Sequence, residues 1–200
     1  MEVAEEILHF WFGNSKDDLH VVQQQGKLWF GKDAKIDRDI EKRFSHVLAQ
    51  AAASGVLAGK SAEERCFLAT ILLFDQFPRN IFRNQAQAFA YDHLALKLAE
   101  ELLERGLVEK LRPVEKVFVY LPLEHSEDNK RQQRSVELFA ALLDEVPDRW
   151  RSVFAGFYDY ALRHQEIITR FGRYPHRNAI LGRESTQEEL EFLQQPNSSF

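Results

Sequence analysis

Cysteine occurs once in this 200-residue chain and proline six times. A lone cysteine closes no disulfide within the chain and builds no cysteine metal cage. Cys66 stands inside CFLATILLF, where it reads as a small buried hydrophobe and not as a nucleophile. That run is the longest apolar stretch, nine residues, and a membrane-spanning helix needs about 20, so no membrane span is expected. The opening MEVAEEILHF carries no basic region ahead of its apolar residues and does not read as a secretory signal. The expected compartment is the cytoplasm. Positive charge is short as well: 26 Lys and Arg face 31 Asp and Glu, a net charge of −5, which argues against nucleic acid or an anionic membrane as partner. Alternating strand patterns are missing throughout.

What is present is ordinary globular material, 44% hydrophobic and 28% charged, in a length that suits one domain. Apolar residues recur at helical spacing almost everywhere, which predicts an all-α chain of about eight helices over residues 2–12, 36–54, 62–77, 86–105, 112–123, 127–146, 148–171 and 186–194. Chemistry that satisfies otherwise unpaired backbone groups marks several ends. Ser61 with Glu64 and Ser185 with Glu188 have capping-box spacing, and Ser126 suits an N-cap. Gly55 and Gly106 suit left-handed positions after a helix. Pro78, Pro122 and Pro175 stop or follow helices, and Pro147 fits a first turn. Residues 13–35, with WFGKD, carry no assignable pattern. The aromatics Phe10, Trp11, Phe12, Trp29 and Phe30 read as packing and not as a base-stacking platform.

Charge is unevenly spread. Residues 163–183 hold five Arg and one Glu, a local +4 against −9 for the remainder, which suits a small anion or an acidic partner. Inside that stretch, FGRYPHRNAI echoes FDQFPRNIF at residues 74–82: two aromatics spaced by two residues, a proline, then Arg-Asn. Short connections make successive helices antiparallel neighbours, and alternation then brings five segments to one end: the C-terminus of 62–77, the N-terminus of 86–105, the 123–127 connection, the N-terminus of 127–146 and the C-terminus of 148–171. Both copies of the echoed turn fall there.

Placing residues at about 100° per step shows which polar groups enter apolar arcs. Asp75 projects between Leu68 and Ile71, Asp92 borders the stripe of Leu94, Leu98 and Leu102, Gln132 continues the face of Val136 and Phe139, and His164 sits at the centre of the face of Phe157, Ile168 and Phe171. All lie at the shared pole, with Arg79, Asn80, Glu124, His125, Arg173, His176, Arg177 and Asn178. A buried polar group without a partner costs about 1–3 kcal/mol, so these should meet one another or a ligand. One outcome is a structural network in which Arg79 or Arg177 pairs with Asp75 or Asp92 while Asn80 and Asn178 lock turns. The other is a ligand pocket. Ser126, His125 and Asp75 have a triad's residue types without a nucleophile-elbow motif. Glu124, His125, His164 and His176 could ligate a metal but show no HExxH or comparable spacing, so no metal or cofactor is expected. Guanidinium groups match carboxylate and phosphate, and Arg79, Arg173 and Arg177 favour a small anionic ligand. His164 suits a hydrogen-bonded core histidine or a tuned acid/base.

The stretches FDQFPRNIFR, AFAYDHLALKLA, LPLEHSEDNKRQQRSVELF and RFGRYPHRNAILGR, in this order, resemble a largely bacterial family known as domain of unknown function number nine-two-four, itself similar to tetratricopeptide-like helical folds. The resemblance runs from FWFG near the start to STQEEL near the end. It implies a right-handed array of antiparallel helices and supplies neither activity nor cofactor. Its pattern falls on Asp75, Gln76, Pro78, Arg79 and Asn80; on Asp92; on His125, Ser126, Glu127, Gln132, Arg134 and Ser135; and on residues 171–173 and 175–178. The chain departs from it before Ser61, where AGK replaces an expected tryptophan, and at Tyr91, which would narrow the mouth of a site. The expectation is therefore a pocket for a small anion, with a groove for an acidic peptide, or a hydrolase using His125 or His164, as the alternatives.

Overall fold

Strong apolar periodicity and capping chemistry build ten α-helical segments among the described residues: α1 (Val3–Phe12), α2 (Asp18–Phe30), α3 (Ala34–Ser54), α4 (Glu63–Asp75), α5 (Phe77–Ile81), α6 (Asp92–Glu104), α7 (Pro113–Glu124), α8 (Asn129–Glu145), α9 (Asp148–Phe171) and α10 (Gln187–Phe192). Short 3-10 turns occupy Ala86–Phe89, Leu107–Lys110 and Pro175–Arg177, and no strand occurs among the described residues. The computed structural model describes residues 2–55, 57, 61–196 and 198–199; the Ala58-Gly59-Lys60 departure before Ser61 lies outside them.

α4 and α7 form the centre. Every residue of α4 from Cys66 to Asp75 is buried, as is every residue of α7 from Val114 to Glu124, the mark of helices covered on all sides. α1, α6 and α7 pack on α4, α8 packs on α7, and α9 packs on α8. Trp11, Phe74, Phe77 and Phe118 are at most 0% exposed, and each contributes about 1.5–3 kcal/mol by leaving water.

Residues 13–35 hold α2. Asp17 accepts from the backbone N–H of Leu19 and His20 at 2.9 and 3.3 Å, while only Asp18, Val21 and Trp29 of the helix are buried. Such a sparse apolar face gives little periodicity. Trp29 packs against Trp11, Phe12 and Phe118 and donates Nε1–H to the Trp11 carbonyl at 2.9 Å; Phe30 stays 60% exposed.

Other boundaries shift because side chains have tertiary duties. Ser61 donates to Glu2 at 2.7 Å instead of capping α4. Asp128, not Ser126, caps α8 through Arg131 N–H at 3.0 Å. The last capping box is Thr186 with Glu189, one residue beyond the expected pair. Pro122 lies within α7, which continues to Glu124. The expected helix 62–77 breaks at Gln76: Pro78 has no N–H to give, and α5 restarts with the Arg79 N–H on the Gln76 carbonyl at 3.1 Å. The span 86–105 divides into the 3-10 turn and α6. Gly55 and Gly106 do take positive φ, 92° and 65°.

Candidate functional site

The end of α4, the start of α6, the end of α7, the first turns of α8 and the last third of α9 do meet. Asp75 ends α4 with 0% exposure, and its Oδ1 lies 2.7 Å from His125 Nδ1. Gln76 Nε2 donates to its other oxygen at 2.6 Å. Arg79, one turn on, donates through Nη1 to the Asp75 carbonyl and forks Asp92 at 3.0 and 3.1 Å. Asp92 is the first residue of α6, where a carboxylate also suits the helix dipole. Arg177 comes from the 3-10 turn after α9, donates Nη1–H to the His125 carbonyl at 3.0 Å and stands 3.8 Å from Asp92.

Behind this layer lies a second. His164 Nδ1–H donates to Tyr160 O at 2.8 Å, with Glu124 Oε1 at 3.1 Å. Gln132 Nε2 shares its two N–H groups among the carbonyls of Glu124 and Ser126, at 2.5 and 2.7 Å, and Tyr174 Oη at 2.8 Å, and Tyr174 donates to Glu124 O. Glu124 Oε2 and Gln132 Oε1 are buried with no hydrogen-bond partner. The His125 and His164 rings are 6.2 Å apart.

Burial and charge divide the titrating groups. Burial alone would raise the Asp75 carboxyl, but His125, Arg79 and the Gln76 amide overcome it and hold the group below the usual carboxylate range. Burial, with the Asp75 charge added, pushes Glu124 well above its ordinary value. Burial draws His125 down against the pull of Asp75, and draws His164 well below its usual value with help from His125. His176, beside Tyr174 at 5.5 Å between rings, is lowered to about 4 by burial and Arg177. Two carboxylates, Asp75 and Asp92, face two guanidinium groups, Arg79 and Arg177, in the cluster.

Of the residues the sequence singles out, Asp75, Arg79, Asp92, Glu124, His125, Gln132, His164 and Arg177 form this network, with His176 at its edge. Three do not join it. Asn80 donates to Asp37 at 2.8 Å, a carboxylate forked by Arg83. Arg173 forks Glu189 at 2.6 and 2.8 Å, and Asn178 donates to Ser185 at 3.0 Å and Glu189 at 3.3 Å. Both Asn side chains thus lock their turns to an acid that an arginine also holds. Of the Ser126, His125 and Asp75 set, the hydrogen bonds join only His125 to Asp75. Tyr91, expected near the mouth of the site, stacks on Phe74 with ring centroids 6.0 Å apart.

Two aromatics escape the sequence reading. Tyr174, fully buried, has its ring 4.4 Å from the Arg177 guanidinium carbon, and Phe89 lies 4.8 Å from the same carbon. Tyr174 is the second aromatic of the later turn, so the echo itself could have flagged it. Cavities of about 360 and 260 Å³ lie elsewhere, the first lined by Leu103, Leu123, Lys130 and Arg131, the second by Phe12, Asn14, Arg65 and Arg112. No group of three or more His, Cys, Asp or Glu among the described residues is placed to hold a metal ion, and no helix among them is long and apolar enough to cross a membrane.

The family model described as "Bacterial protein of unknown function (DUF924)" matches residues 7–197. A solved structure of a protein of unknown function from Agrobacterium tumefaciens is similar at 36% identity, with a TM-score of 0.79, over 96% of this chain and 97% of that one. No curated protein matches significantly.

Proposed function

Because the chain belongs to DUF924, a bacterial family of unknown function, we propose its role from the chemistry of the site: a cytoplasmic protein that binds a small anion, a carboxylate or phosphate, at Arg177. The observation that carries this reading is the unfinished pairing of that guanidinium. It is 7% exposed, its Nε is buried without an acceptor, and its ion pair with Asp92 stretches to 3.8 Å. A guanidinium offers five donors, and a buried donor without an acceptor costs about 1–3 kcal/mol. An anion oxygen brought to this fork would relieve that cost and add a charge-assisted bond. Arg79 differs: none of its donors is buried without an acceptor, and Asp92 takes a bond from each of its terminal nitrogens.

The Asp75–His125 contact at 2.7 Å favours a second reading, acid/base chemistry. A carboxylate that fixes Nδ1–H leaves Nε2 as the basic nitrogen, and Arg177, bonded to the carbonyl of His125 itself, would hold an anionic substrate beside it. His125 would be the base of a hydrolase on this reading, ahead of His164, whose Nδ1–H is turned to Tyr160 O.

Melting curves in phosphate, sulfate or a dicarboxylate, against chloride at matched ionic strength, test the anion reading. A ligand at a hundredfold its Kd adds about 2.7 kcal/mol, which raises Tm by roughly 5–10 °C for a chain of this length. Equal shifts in chloride would reduce the effect to screening and overturn the proposal.

A further inference from the structure

Two rings touch the Arg177 guanidinium, and they are held differently. Tyr174 is 0% exposed and anchored through its hydroxyl to Glu124 O and Gln132. Phe89 is half-buried and belongs to the 3-10 turn Ala86–Phe89. Its ring also lies 5.7 Å from the Arg79 guanidinium carbon, so it covers both arginines of the echoed turns. The turn is lightly tied. Gln85, Ala86, Gln87 and Ala90 are exposed, Ala88 is buried, and the backbone bonds are local: Gln85 N–H to Phe82 O at 2.9 Å, Ala88 N–H to Gln85 O at 3.0 Å and Ala90 N–H to Gln87 O at 3.2 Å. Fixed points flank it. Asn84 takes a left-handed φ of 62°, and Tyr91 is stacked on Phe74.

We propose that Phe89 gates the anion site: its ring closes over Arg177 and Arg79, and the 3-10 turn swings aside for a carboxylate or phosphate to reach the Arg177 fork. The inference rests on the anion reading of Arg177 and adds the route by which the ligand enters. A cation–π contact at a partly exposed site is weak enough to break and re-form in a binding event, and turns that screen a site move on the microsecond-to-millisecond scale. The buried Arg177 Nε then has a physical explanation, because the closed ring keeps both water and ligand away from it.

Line-shape analysis of an NMR titration with inorganic phosphate gives association and dissociation rates for the wild-type chain, Phe89→Ala and Phe89→Leu. With the ring gone, both rates rise at least about tenfold while Kd stays within roughly threefold, because an open gate speeds entry and exit alike; Phe89→Leu falls between. Phosphate binding by the wild type with unchanged rates in Phe89→Ala, or loss of binding in that variant, removes the gate and leaves the Arg177 site standing. No binding by the wild type or either variant removes the anion reading, and the gate with it. Should Phe89→Ala lose its cooperative urea transition, the rates of Phe89→Leu decide on the same criteria.

Discussion

The two echoed turns use one local grammar for two different ends. In each, a proline follows a helix, an arginine reaches the polar pole, and an asparagine ties the turn to an outlying acid shared with another arginine: Asn80 to Asp37 and Arg83, Asn178 to Glu189 and Arg173. The arginines then part. Arg79 is spent on Asp92 and on the end of the preceding helix, α4, whereas Arg177 gives Nη1–H to a carbonyl and keeps Nε unmatched. A residue pattern therefore fixes where a guanidinium is delivered, and the acids within reach decide whether it is a strut or a free hand. Asp92 is the deciding acid, at 3.0 Å from Arg79 and 3.8 Å from Arg177.

The largest effect should come from breaking the strut. Arg79→Lys retains charge but not the fork, leaving Asp92 half-served and the Asp75 carbonyl without its donor, and should destabilise the ligand-free protein by about 3 kcal/mol, the lower end for breaking a buried pair. Urea unfolding measures it. A loss below about 0.5 kcal/mol, typical of a surface substitution, would erase the distinction between the turns.

A smaller, pH-dependent effect belongs to Glu124, which the first turn perturbs through the Asp75 charge and the second contacts through Tyr174. Its folded-state pKa is raised, so above the unfolded value of about 4.3 the native state holds the extra proton and stability falls as pH rises, by up to about 1.4 kcal/mol per pH unit. His125 and His164 are lowered and act in the opposite sense, their contribution rising with pH until about 6.5. Glu124→Gln mimics the protonated carboxyl and leaves both histidines, so its stability relative to wild type should climb as pH rises above about 4.3. A flat difference curve would mean that Glu124 is ionised in the fold.

Much of this architecture was readable beforehand. Helix class came from periodicity alone, and alternation of direction with face placement brought together Asp75, Asp92, Gln132, His164 and Arg177. What escaped follows from tertiary demands on single side chains. α2 hides because Asp18 is buried for the sake of Arg112 and the Val114 N–H, not an apolar stripe. Ser61 and Ser185 look like caps but their hydroxyls have partners elsewhere, and Asp128 takes the cap that Ser126 suits. Arg173 was expected at the pole because its charge is visible in the sequence, while Glu189, sixteen residues on, claims it first. Phe89 lay inside an expected helix, and only the break before α6 turns it toward the arginines.

The most direct test sets Arg177→Lys beside Arg79→Lys, measuring urea unfolding and the phosphate-induced Tm shift for each. Arg177→Lys should keep ligand-free stability within about 1 kcal/mol of wild type, since the ammonium retains charge and can still meet a carbonyl, and should lose the phosphate response because the fork is gone. Arg79→Lys should lose stability and keep the response. A large loss of ligand-free stability in Arg177→Lys with the phosphate shift intact would contradict the account, making the second arginine a strut like the first.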